Sequence, residues 1–180
     1  MRQSVVALTL YEGEYSIDPK EEFQNGPGRA VHETFIRWVL PALEPVTSVA
    51  QCRYEALPLR SWLGEPRTYP RSPKNPLPRW DATSVEIYEQ LRTREQGVLV
   101  SWEHLVLLLS LQKNGRNGLL ATADNIATFC FMKGLNDAVF LIRVFWNSSL
   151  KTWFLRAWSF EERKDRGWSR NNLLLLPSNQ

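Results

Sequence analysis

The chain has 180 residues, of which 43% are hydrophobic and 23% are charged, and these values lie near the averages for globular proteins. This composition excludes a largely disordered chain, and a chain of this length buries about 70% of the surface that its unfolded form exposes. The formal net charge of +3 is too small to indicate nucleic-acid binding by itself.

Redox and targeting features predict a cytoplasmic protein with no membrane attachment. The two cysteines, Cys52 and Cys130, stand in apolar patterns outside any metal-ligand spacing, so we expect two free thiols. The N-terminus has neither the length nor the cleavage site of a signal peptide. The most apolar run, residues 105–111, is too short to span a bilayer.

The first sixty residues predict two strands and two helices. Residues 3–10 are β-branched and apolar, which is typical of a strand. Asp18 is followed by a proline and two acidic residues, as at the start of a short helix. Residues 29–40 carry apolar side chains at helical spacing and end before a proline, so they predict a firmer helix. Residues 48–57 alternate between apolar and polar side chains, as a half-buried strand does.

A basic, proline-rich segment follows at residues 64–80. It contains five of the 11 prolines, which exclude a helix or an interior strand. We expect an extended surface loop whose two PxxP spacings, 70–73 and 73–76, suit the aromatic grooves of protein partners. The basic residues that would make contacts there are Arg67, Arg71, Lys74 and Arg79.

The second half of the chain predicts helices followed by strands. Residues 82–95 and 102–112 have helical patterns, and the second is apolar on almost every side, so we expect it in the centre of the core. Residues 123–133, which end at a glycine, predict a third helix. Three aromatic or β-branched runs then predict a meander of antiparallel strands, at residues 138–146, 152–160 and 173–176.

Together these elements predict one α+β domain that spans residues 1–180. We expect a small antiparallel sheet packed against three to four helices. The N-terminal strands and the C-terminal three-strand meander would form this sheet, and the basic proline-rich loop at residues 64–80 would lie on its surface.

Motifs with established chemistry are not found in the sequence. His32 and His104 each stand beside a glutamate that points away from them on a helix, and neither has a paired-ligand spacing. We therefore expect structural or surface roles for both histidines, and we predict no catalytic residue, no metal site and no cofactor. An enzyme with a dispersed carboxylate or histidine site stays an open alternative, because such sites assemble from distant segments.

Basic and aromatic residues interleave near the C-terminal end. Residues 138–180 carry 7 basic and 3 acidic groups. Aromatic platforms beside a cationic track are what single-stranded nucleic acid requires, and Phe154, Arg156 and Trp158 share one face of a predicted strand. The candidate contacts on this surface are Arg156, Trp158, Arg163, Arg166, Trp168 and Arg170.

The sequence favours a non-catalytic interaction protein, such as an adaptor, inhibitor or assembly component, that binds a protein partner. This hypothesis depends on the PxxP spacings and on the missing catalytic motifs. A nucleic-acid-binding protein that uses the basic aromatic C-terminal surface is the first alternative. An enzyme with a dispersed site is the second, because function resides in sites that patterns do not always reveal.

Overall fold

The computed structural model describes residues 6–59, 67–69, 77–79, 84–95, 97–124, 126–160 and 171–178. In these ranges the strands are β1 (Val6–Leu10), β2 (Gly13–Ile17), β3 (Arg29–Val31), β4 (Val46–Val49), β5 (Cys52–Pro58), β6 (Arg67–Tyr69), β7 (Leu77–Arg79), β8 (Thr128–Lys133), β9 (Val139–Asn147), β10 (Thr152–Trp158) and β11 (Leu173–Ser178). The α-helices are α1 (Glu33–Trp38), α2 (Ser84–Leu91) and α3 (Trp102–Leu111). Short helical turns lie at Glu21–Asn25, Leu40–Ala42, Lys113–Gly115 and Leu135–Asp137.

A seven-stranded mixed sheet forms the centre of the described structure, with the strand order β1-β5-β11-β8-β9-β10-β3. Neighbouring strands are antiparallel except at two places, where β11 lies parallel to β8 and β10 lies parallel to β3. Two further pairs, β2 with β4 and β6 with β7, form separate two-stranded antiparallel sheets.

The expected small antiparallel sheet with a C-terminal three-strand meander is wrong. Strand β11 does not follow β10 in the sheet, because it enters between β5 and β8, antiparallel to the first and parallel to the second. The meander instead consists of β8, β9 and β10. The helix predicted over residues 123–133 is also wrong, since most of that range is β8.

The misassignment of β8 has a physical cause. Residues 128–132 are all buried, because apolar layers cover both faces of the sheet at this strand. A strand buried on both faces has a continuous apolar sequence without alternation. Periodicity alone does not distinguish such a run from a buried helix.

The helix predicted over residues 29–40 is correct only in its second half. The first three residues form β3, which pairs with β10 at the edge of the sheet. His32 then caps α1, because its Nδ1 accepts a hydrogen bond from the Thr34 amide at 3.2 Å. A strand of three residues is too short to show the two-residue period of a strand. The helical spacing of the residues after it therefore predicted a helix that includes β3.

Alternate residues of the central sheet contribute to two apolar layers, one on each face. One face of the sheet packs against α1 and α3, and we call it the α3 face. Its sheet residues include Met132, Ile142, Leu155 and Leu175. The opposite face packs against α2, and we call it the α2 face. Its sheet residues include Phe131, Leu141, Trp158 and Leu174.

Several expectations about the core are confirmed. Helix α3 is central: Leu105 and Leu108 are fully buried, and Trp102 is 9% exposed. Strands β9 and β10 form the predicted hairpin. Cys52 and Cys130 are free thiols, the first half-buried and the second buried. Within the described residues, no helix combines the length and the apolar character that a membrane crossing requires.

Candidate functional site

The structure describes two of the six residues predicted on the C-terminal surface. Arg156 and Trp158 lie on β10 and point to the α2 face. The other four lie outside the described residues, and they are Arg163, Arg166, Trp168 and Arg170. In the proline-rich segment, Arg67 stands opposite Arg79 in the β6–β7 pair, whereas Arg71 and Lys74 also lie outside the described residues.

Two arginines stand directly opposite each other on the β9–β10 hairpin. The register pairs Arg143 with Arg156, and both side chains are half-buried. Burial, and after it the positive charge of Arg156, lowers the pKa of Arg143 below its ordinary value. Like charges at directly opposite strand positions destabilise a sheet, so this pair needs a compensating interaction.

Aromatic rings supply part of that compensation. The Arg143 guanidinium carbon lies 4.4 Å from the ring centroid of Phe145, and that of Arg156 lies 4.9 Å from the ring of Trp158. Phe145 also stacks on Phe154 across the hairpin, with centroids 5.2 Å apart and an interplanar angle of 16°. We call the set formed by Arg143, Phe145, Phe154 and Arg156 the arginine–aromatic face. Cation–π contacts of this kind stabilise a cation by about 0.5–2 kcal/mol.

Within the described ranges, this face has no acidic partner. Among the described residues, no carboxylate forms an ion pair with Arg143 or Arg156, and the buried Nε of Arg156 has no hydrogen-bond acceptor. Arg94 shows the contrast, since its guanidinium lies 2.8 Å from the Glu55 carboxylate and 3.3 Å from the Pro177 carbonyl. The arginine–aromatic face therefore carries two guanidinium groups that no carboxylate of the described residues neutralises.

Trp158 is placed differently from the sequence-based interpretation of a base-stacking platform. Its side chain is 4% exposed and packs beside Phe129, with ring centroids 6.4 Å apart. Phe154, two residues earlier on the same face, is only half-buried. A base that approaches this surface would meet the rings of Phe154 and Phe145 before that of Trp158.

The candidate residues predicted from the sequence did not include Arg143 or Phe145, and their pairing with Arg156 and Phe154 was not foreseen. The turn at residues 148–151 pairs Thr152 with Asn147, and that register brings Arg143 opposite Arg156 and Phe145 opposite Phe154. The signal was therefore the length of the hairpin loop, which sets the register of the two strands.

His104 makes hydrogen bonds in the interior of the fold, whereas the exposed His32 caps α1. His104 is 5% exposed, and its Nε2 lies 2.7 Å from the Ala50 carbonyl oxygen, to which it donates. Its Nδ1 lies 2.8 Å from the Tyr54 hydroxyl and 2.7 Å from the Ser101 hydroxyl. Both ring nitrogens are thus occupied, and they join β5 and Ala50, which directly follows β4, to the start of α3. Burial raises the pKa of the Tyr54 hydroxyl, so it stays protonated.

In the described part of the chain, no three His, Cys, Asp or Glu side chains come together as a metal site.

Comparison with known proteins does not assign the chain to a family. No protein-family model matches the sequence. No curated protein is significantly similar to it, and no solved structure matches it.

Proposed function

We propose that this chain is a non-catalytic binding protein whose arginine–aromatic face binds single-stranded nucleic acid. The observation that supports this most directly is the Arg143–Arg156 pair, which has no carboxylate partner among the described residues. A half-buried charge without a counter-charge costs free energy. A phosphate placed between two guanidinium groups would supply that counter-charge and would accept their N–H donors in pairs.

The stacked rings favour nucleic acid over a simple anion. Phe145 and Phe154 are half-buried and lie on the same face as the two arginines. Stacking of a base on an aromatic side chain contributes about 1–3 kcal/mol and tolerates any base. A phosphate at the arginines and a base at the rings would use every member of the face.

A protein partner stays the alternative that the sequence favoured. An acidic peptide would satisfy the same guanidinium groups, but it would leave the stacked pair of Phe145 and Phe154 without a role. The two classes of partner therefore predict different consequences when a ring is removed and when an arginine is removed.

The test is a fluorescence titration with a labelled, mixed-sequence single-stranded oligonucleotide at several salt concentrations. We expect Arg143→Met and Arg156→Met each to weaken binding and to reduce the salt dependence by about 0.7 in log K against log salt. Phe154→Ala should weaken binding by about 1–3 kcal/mol and leave the salt dependence unchanged. The matched control is Arg92→Met. Arg92 directly follows α2, is exposed and forms an ion pair with Glu89 in that helix.

Three outcomes would contradict the proposal. The first is the absence of saturable oligonucleotide binding at low salt. The second is a loss of affinity in the Arg92→Met control as large as that in Arg156→Met. The third is binding of polyglutamate, but not of the oligonucleotide, by the wild-type chain, and this result would favour an acidic protein partner.

A further inference from the structure

A cavity of about 380 Å³ opens on the α3 side of the β9–β10 hairpin. Four segments surround it: the helical turn Glu21–Asn25, the residues that lead into β3, the end of α3 with its following turn, and the hairpin loop at residues 148–151. Its chemistry depends mainly on six lining residues, which are Glu22, Arg29, Lys113, Asn114, Lys151 and Trp153.

Arg29 holds the walls of this cavity together. Its side chain is 7% exposed and forms an ion pair with the Glu22 carboxylate. The same guanidinium donates to the Glu22 carbonyl at 2.8 Å and to the Ser110 hydroxyl at 2.9 Å. Glu22 thus neutralises Arg29, and neither group needs a ligand.

The two lysines are different, because nothing among the described residues neutralises them. Lys113 and Lys151 are exposed, and neither has an ion pair or a side-chain hydrogen bond in that part of the chain. The cavity therefore has three cationic side chains against one carboxylate. This excess of positive charge selects an anion.

Apolar surface accompanies the charge. Leu109, Pro27 and the ring of Trp153 line the cavity. Trp153 is 2% exposed and its indole N–H donates to the Gln112 carbonyl at 3.2 Å, so its ring belongs to the buried floor of the cavity. Ligand pockets of roughly 300–1,000 Å³ combine apolar walls with a few charged groups in this way. We infer that this cavity binds a small phosphate monoester, with the phosphate at Lys113 and Lys151 and the organic part against the exposed Pro27.

The backbone at Lys151 supports this assignment. Lys151 is the last residue of the four-residue hairpin loop and has a φ of 50°, in the left-handed region. Glycine or asparagine suits such a position, whereas a lysine there is strained. Residues with strained backbone are concentrated at ligand-binding and active sites.

The phosphate monoester has two chemical sources, a free metabolite and a lipid headgroup. Leu111 and Leu150 are 56% and 63% exposed, and each lies within two residues of one of the lysines. Exposed leucines beside lysines suit contact with an anionic lipid surface. Glycerol 3-phosphate and vesicles of phosphatidic acid in phosphatidylcholine share the headgroup chemistry, and they separate the two sources.

The experiment measures calorimetric binding of glycerol 3-phosphate and sedimentation with the vesicles. We expect saturable binding to at least one probe, weakened about tenfold by Lys113→Met and by Lys151→Gly. Lys151→Gly should also raise the melting temperature by about 2–4 °C, because it relieves the left-handed backbone. Lower affinity together with higher stability separates a binding role from a structural one.

Two controls are available within the chain. Lys133→Met removes an exposed lysine that pairs with Asp137 outside this cavity, and it should leave binding of either probe unchanged. Arg156→Met should also leave it unchanged, which separates this cavity from the arginine–aromatic face. Failure of both probes to bind, or an equal loss in Lys133→Met, would overturn the inference.

Discussion

The two faces of the β9–β10 hairpin have the same backbone and register but different chemistry. On the α3 face the cross-strand pairs are apolar, and Trp146 meets Trp153 edge to face with ring centroids 5.2 Å apart. On the α2 face, Arg143 stands opposite Arg156, between the apolar pairs Leu141–Trp158 and Phe145–Phe154.

The α3 face is thus apolar throughout the hairpin, whereas the α2 face places two charges among apolar neighbours. The α3 face follows every rule of a packed core, because its side chains are buried, apolar and closely matched. The arginine pair breaks those rules, since it places like charges opposite each other with no acidic partner among the described residues. Departures from core rules are expected at functional sites. The arginine pair on the α2 face is therefore the part of the hairpin for which we propose binding of nucleic acid.

The largest expected effect lies on the α3 face. Leu108 is fully buried in α3, so Leu108→Ala leaves a cavity and should lower the free energy of unfolding by about 2–5 kcal/mol. Leu111→Ala on the same helix removes a side chain that is 56% exposed, and it should change stability by less than about 0.5 kcal/mol. Denaturant melts of both variants test this. Equal effects of the two substitutions would show that α3 is not the centre of the core.

A smaller effect is expected from the buried thiol on the same face. Burial raises the pKa of Cys130 to about 12 from 9.0. Above pH 9 the unfolded chain loses this proton while the folded chain keeps it, so stability falls as pH rises. Between pH 9 and about pH 12, the contribution of Cys130 to this loss is about 1.4 kcal/mol per pH unit. Denaturant melts at pH 8 and pH 10 should show a smaller alkaline loss in Cys130→Ala than in the wild type. Parallel losses in the two proteins would contradict the burial of this thiol.

The smallest expected effect distinguishes the arginine pair from a stabilising interaction. Arg143→Met relieves repulsion from Arg156, so it should preserve stability or raise it by up to about 1 kcal/mol at low salt. Added salt should stabilise the wild type more than the variant, because screening weakens the repulsion. Thermal melts at low and high salt measure both quantities. A loss of more than about 1 kcal/mol would show that Arg143 belongs to the packed structure instead.

Much of the local structure could be predicted from the sequence. Alternating or β-branched runs predicted β1, β9 and β10, and an almost wholly apolar helical run predicted α3. The face shared by Phe154, Arg156 and Trp158 also followed from the two-residue period of a strand. These predictions succeed because local periodicity and turn residues act within a few positions of the chain.

The order of the strands could not be predicted in the same way. β11 pairs with β5 and β8, which lie far from it in sequence, and nothing in its run of leucines specifies either partner. β8 appeared helical because both of its faces are covered, and that covering comes from residues elsewhere in the chain. Contacts at long sequence separation therefore decided both features.

By itself, the sequence determined which segments are apolar, where many of them turn and which side chains could share a strand face. Only the tertiary structure decided that Arg143 meets Arg156, that Trp158 is buried, and that Lys113 and Lys151 reach one cavity. The physical reason is that a period assigns a residue to one face of its own element. The counter-charges, ring partners and solvent exposure of that residue come from other elements, and only the folded chain brings those elements together.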